Sequence, residues 1–184
     1  MTEVTRRAFF VVGGAAALGT TALLGGCMSS GDIPLSATDA AALRLRSVDV
    51  DVEPLVARGL TPWATLVRST MKPELNRLFA PRLTPGDKRA DRVVARVDSV
   101  FLTSWAGGGG DDSWFGSTGS DSDYMEGYAL VISPDGAERA RYHILLALPA
   151  SSAGAWYLPD IDNRRVMGLS RVFARWVRDM VIGR

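Results

Sequence analysis

A chain of 184 residues that is 47% hydrophobic and 22% charged, with a formal net charge of +1, has the balance of a folded domain and excludes a disordered polyelectrolyte. Charge this close to zero also excludes a nucleic-acid binder of the ordinary basic kind. A single cysteine, Cys27, excludes a disulfide framework, and a single histidine, His143, leaves no Cys/His cluster for a metal.

The chain opens MTEVTRRAFFVVGGAAALGTTALLGGC. Arg6 and Arg7 precede an apolar run from Ala8 to Leu24, and small residues lead into Cys27. That is the layout of an export signal. A spanning helix needs about 20 strongly apolar residues, whereas Gly13, Gly14, Gly19, Thr20 and Thr21 dilute this run. Residues 1–26 are therefore expected to be cut away, with 27–42 a flexible tether and 43–184 one domain. LGGC, Leu24 to Cys27, resembles the lipobox of bacterial lipoproteins, and TRRAFF, Thr5 to Phe10, resembles a twin-arginine export motif. The lipobox resemblance implies that Cys27 is acylated and becomes the first mature residue. One acyl chain binds a membrane only marginally, at about 0.8 kcal/mol per CH2, and the multiply acylated cysteine of such lipoproteins is effectively permanent. No thiol then remains for catalysis or metal binding. Met28 resembles the residue that releases lipoproteins to the outer membrane, so a periplasm-facing domain is expected there rather than at the inner membrane.

In LRLRSVDVDVEP, Val48, Val50 and Val52 alternate with Asp49, Asp51 and Glu53, which predicts a strand with one wet face. Leu43 and Leu45 are out of phase with those valines, which predicts a bulge near Arg46. TPWATLVRSTMKPELNRLFA follows, with Thr61 as the expected cap and Pro62 in the first turn. Trp63, Leu66, Val67, Thr70, Met71, Leu75, Leu78 and Phe79 recur at three- and four-residue steps on both sides of Pro73, predicting one kinked helix. ADRVVARVDSVFLT predicts a second strand with Val93, Ala95, Val97 and Phe101 inward. YMEGYALVI and RARYHILLAL flank Pro134-Asp135-Gly136, a turn signal that predicts a hairpin, with Tyr142, Ile144, Leu146 and Leu148 inward. Capped by Asp162 or Asn163, the last segment places Val166, Leu169, Phe173, Trp176 and Met180 on one stripe of a helix. The order β-α-β-β-β-α predicts an α+β fold, a mainly antiparallel sheet with both helices on one face.

Candidate chemistry is sparse. Between Trp105 and Asp123, WAGGGGDDSWFGSTGSDSD contains one copy of a calcium-binding nonapeptide pattern, with Asp112 as ligand. Such sites need neighbouring copies to complete an oxygen cage, so a flexible excursion is expected, with Asp111, Asp112, Asp121 and Asp123 as mutually repelling carboxylates. Trp105, Trp114 and Phe115 make this loop a candidate contact surface. STMK, Ser69 to Lys72, matches the serine–lysine motif of penicillin-binding enzymes, but their other elements are missing. His143, on the strand face shared with Arg139 and Arg141, reads as an exposed strand residue. On the last helix Arg164, Arg171, Arg175 and Arg178 are spaced seven, four and three apart, which stacks them opposite the apolar stripe as a candidate partner- or anion-binding face.

In element order from Val48 to Ile182, behind LGGC, the chain resembles small outer-membrane lipoproteins, including the lipoprotein partner of the lipopolysaccharide translocon and the auxiliary lipoproteins of ABC-type lipid transport. The resemblance implies a non-enzymatic role, holding a membrane-protein partner or a lipid at the envelope, without cofactor, metal or nucleic acid. The alternatives are a calcium- or glycan-binding module built on residues 107–123 and, less favoured, an envelope hydrolase.

Overall fold

Four strands with alternating burial form one sheet in the order β1-β2-β3-β4: β1 is Leu45–Asp51, β2 Asp91–Phe101, β3 Ser122–Ile132 and β4 Glu138–Pro149. The computed structural model describes residues 31–104, 122–155 and 157–183. The expected export signal with Arg6 and Arg7, the acylation site Cys27, and the contact-loop residues Trp105, Trp114 and Phe115 lie outside the described residues. Among the described residues four α-helices complete the α+β fold: α1 Ala37–Ala42, α2 Glu53–Ala57, α3 Thr61–Phe79 and α4 Ile161–Ile182.

The sheet is mixed, which corrects the expectation of a mainly antiparallel one. The β2–β3 and β3–β4 pairs are antiparallel, but β1 runs parallel to β2. The cause is the connection: α2 and α3 lie between β1 and β2 and carry the chain back to the starting end, so the next strand enters in the same direction. Two of the four helices, α1 and α2, are too short for hydrophobic periodicity to have revealed them.

α3 and α4 pack on each other, α3 on β1, and α4 on β3 and β4. Between them and the sheet lies a single core containing Leu45, Val48, Met71, Leu75, Phe79, Val93, Met125, Ile144, Leu146, Leu169 and Phe173. Each of the large side chains contributes about 1.5–3 kcal/mol on burial. Helix α3 continues through Pro73 as one element and buries Ala64, Val67, Met71, Leu75 and Phe79. Its cap is Leu60 rather than Thr61, which is already helical. Proline lacks an N–H, so the Ser69 carbonyl loses its usual helical partner.

The stripe on α4 is corrected. Val166, Leu169, Phe173, Ala174, Val177 and Val181 are buried, whereas Trp176 and Met180 are exposed. Beyond Phe173 the core side is entered at Val177, four residues on, because α3 flanks this side of the helix and the sheet lies beneath it. The cap is Asp160, not Asp162 or Asn163.

One bulge in the parallel β1–β2 pair and one in the antiparallel β2–β3 pair decide which side chains of β1 and β2 face the core. Leu45 pairs with Asp91 and Ser47 with Arg92, leaving Arg46 unmatched as the valine phasing requires. The second bulge was not anticipated. Val97 pairs with Gly127 and Ser99 with Glu126, so Asp98 is extra and every later residue changes face. Val100 therefore points inward, and Phe101, expected in the core, is 59% exposed.

The leader into the domain is ordered from Asp32 onward, where a flexible tether was expected through 42. Ile33 bridges Arg141 on β4 through backbone hydrogen bonds of 2.9 and 2.8 Å. The His143 N–H donates to the Asp32 carboxylate at 2.8 Å, and the Leu35 N–H donates to the Tyr142 hydroxyl at 2.8 Å. Ser36 then caps α1 by accepting from the Asp39 N–H at 3.1 Å. Tyr142→Phe removes the acceptor for Leu35 alone. It should cost about 0.5–1.5 kcal/mol, the net worth of one hydrogen bond, and should speed amide exchange at Ile33 while the exchange of Val93 stays slow. Unchanged exchange at Ile33 would show that the leader is held by its bridge to β4 without help from Tyr142.

Candidate functional site

Helices α3 and α4 meet along their outer sides in an open groove of about 500 Å³. Leu66, Thr70, Pro73 and Met167 line its apolar part, and Glu74, Arg77 and Arg171 its polar part. Arg77 donates to Glu74 through Nε at 3.0 Å and through its terminal nitrogen at 2.7 Å. That double contact, reinforced by the nearby charges of Arg175 and Arg171, holds the Glu74 carboxyl below its usual range. Glu74 is therefore anionic at neutral pH, with Arg77 committed to it.

The four arginines expected on α4 share a side of the helix but differ in what they touch. Arg164 donates to Asp160 at 2.8 Å. Arg178 donates to Asp179 at 2.9 Å and to the Gly183 carbonyl at 3.0 Å, closing the C-terminal end of the helix. Arg175 lies 3.8 Å from Glu74. Arg171 is exposed and makes no hydrogen bond or ion pair among the described residues; it meets Glu74 only through its field. The expected stripe is thus reduced to one uncommitted guanidinium beside an apolar floor. Glu74 and Arg77 were missed by the sequence reading, although their i,i+3 spacing on the wet side of α3 was a usable signal.

The described residues on either side of 105–121 are held by charge buried in the domain. Asp123, expected among the repelling loop carboxylates, is instead the second residue of β3 and is buried. Its side chain is 3% exposed and faces Arg165 of α4, 2% exposed. Arg165 Nε donates to Asp123 at 2.8 Å, one terminal nitrogen to the Thr103 carbonyl at 2.8 Å, and the other to Asp162 at 3.0 Å. Thr103 returns its N–H to Asp123 at 3.0 Å and its hydroxyl to the Ser122 carbonyl at 2.7 Å. Thr103 and Asp123 are therefore both bonded to one arginine. Nothing in helical periodicity marked Arg165 as the buried one among its neighbours Arg164 and Arg171. Its partner is 42 residues away in sequence.

The remaining candidates separate. Lys72 Nζ is bound to the Val48 carbonyl and, at 2.7 Å, to Asp49, while the Ser69 hydroxyl donates to Leu66; neither is arranged for nucleophilic chemistry. Burial would raise the Asp49 carboxyl, but hydrogen bonds from Lys72 and Ser47 outweigh it and hold the group low. His143 is half-buried and shares a 2.9 Å contact with Glu126. Among the described residues no group of three or more His, Cys, Asp or Glu is placed to hold a metal ion, and no helix is long and apolar enough to cross a membrane. No protein-family model, curated protein or solved structure matches the chain.

Proposed function

We propose that this protein is a lipid-anchored lipoprotein of the cell envelope, favoured at the outer membrane, and that it binds a partner without catalysing a reaction. Its ligand surface is the α3–α4 groove, which takes the carboxylate or phosphate of an envelope protein or lipid. The observation that carries the binding surface is Arg171, exposed and without an ion pair among the described residues, beside the apolar floor of Leu66, Pro73 and Met167. A guanidinium binds carboxylate and phosphate in bidentate fashion, and the apolar floor adds affinity for whatever chain carries the anion. The anchor rests on LGGC and the charged, apolar and small segments ahead of it.

Affinity capture from native membranes tests the reading. Arg171→Ser should weaken capture about tenfold, corresponding to roughly 1.4 kcal/mol, with stability unchanged within about 0.5 kcal/mol. Cys27→Ala should leave the precursor unprocessed and lost from membranes after a high-salt wash. Equal capture by wild type and Arg171→Ser removes the groove from the proposal, and release of wild type by salt alone removes the anchor.

A further inference from the structure

We propose that the open face of the sheet, at the end carrying Phe101, Tyr124 and Leu145, lies in the headgroup region of the bilayer that holds Cys27; this orientation rests on the lipid-anchor reading. Chain length carries the argument. Ile33 is fixed on β4 by its two backbone hydrogen bonds to Arg141, and Asp32 by the His143 N–H. Only Met28 to Gly31 separate Asp32 from Cys27. An extended chain advances at most about 3.3–3.6 Å per residue, so the two Cα atoms are within about 18 Å of each other. An acylated cysteine sits at the membrane surface, so the β4 edge is held close to the lipid.

Strand direction then selects the end. Ile33 lies opposite Arg141, while the preceding Asp32 reaches His143, so the chain heads from Ile33 towards Cys27 along β4 in the direction of Leu145. At that end the open face has a row of Phe101, Tyr124 and Ala147, followed by a row of Ser99, Glu126 and Leu145. Phe101 is 59% and Leu145 55% exposed, and the Phe101 and Tyr124 rings lie 6.2 Å apart. Farther from the anchor the same face becomes charged: Arg96 pairs with Asp98, and Arg141 with Glu138 while lying over the Tyr128 ring. The exposed large apolar side chains of this face, Phe101 and Leu145, thus lie at the end nearer the acylated residue, whereas Val94 and Leu130 farther along it are half-buried. Aromatic rings with a polar tip favour the membrane–water interface, and the exposed Phe101 and Leu145 leave water there instead of remaining hydrated.

The test uses the full, natively processed chain in phospholipid vesicles, with an environment-sensitive dye on Phe101→Cys, Leu145→Cys or, at the opposite end, Lys88→Cys. Dye at positions 101 and 145 should shift to the blue and be quenched severalfold more by lipid-borne nitroxide than dye at position 88. Vesicle-bound protein with equal, weak quenching at all three positions overturns the orientation and leaves the anchor intact. A blue shift without lipid quenching overturns it in favour of a protein contact. Wild type that takes up the dye at Cys27, or fails to float with vesicles, overturns the anchor and the orientation together.

Discussion

Asp123→Ala is expected to cost about 3–5 kcal/mol, because it removes the buried carboxylate that meets the Arg165 guanidinium and leaves it only the exposed Asp162. The same change removes the acceptor for the Thr103 N–H, leaving Thr103 held by its carbonyl to Arg165 and its hydroxyl to Ser122. For a domain of this size, 1 kcal/mol moves Tm by roughly 2–4 °C, which places the loss near 10 °C. The double variant Asp123→Leu/Arg165→Met removes both charges and fills their space with apolar atoms. It should recover much of the loss, because a desolvated ion pair is seldom better than a packed apolar pair. Thermal melts of wild type, Asp123→Leu, Arg165→Met and the double variant form a double-mutant cycle. A single variant melting within a degree or two of wild type would mean that water reaches Arg165 and solvates it.

Gly127→Ala should be the most damaging single-methyl addition in the sheet. Gly127 lies opposite Val97, next to the register shift at the unmatched Asp98. A Cβ built on Gly127 would fall inside the van der Waals envelope of the Arg96 carbonyl oxygen and about 3.0 Å from the Val97 Cα. Both are backbone atoms, so no rotamer change relieves the contact and the strands themselves must separate. Overpacking of this kind costs about 1–3 kcal/mol, occasionally more. Gly168→Ala on α4 provides the opposite expectation: nothing lies within 4 Å of its Cβ, and alanine favours a helix by about 0.5–1 kcal/mol over glycine. Urea denaturation of the two variants should move the midpoint in opposite directions. A neutral Gly127→Ala would show that the Asp98 bulge relaxes without loss.

Local pattern made much of this chain legible. Valine alternation placed β1 and the bulge at Arg46, Pro134-Asp135-Gly136 placed the hairpin, and a stripe that kept phase across Pro73 placed α3 as one helix. These features depend on neighbours within a few residues, where side-chain periodicity and turn chemistry act. The arginine spacing on α4 likewise put four guanidinium groups on one side, because a helix repeats every 3.6 residues.

What remained hidden depends on contacts between distant segments. The parallel pairing of β1 arises from the return path through α2 and α3, and the leader became ordered only because β4 had a free edge at Arg141. Phe101 left the core because a bulge formed against β3, and Trp176 because the buried side of α4 continues from Phe173 through Val177 and Val181. The candidate site divides in the same way. Sequence supplied Arg171 and its stack, but Glu74, Arg77 and Asp160 decided which of those charges were committed. Composition cannot say which arginine is buried, because the free energy of a buried charge depends on the carboxylate that meets it. For Arg165 that partner, Asp123, is brought close only when β3 and α4 pack together.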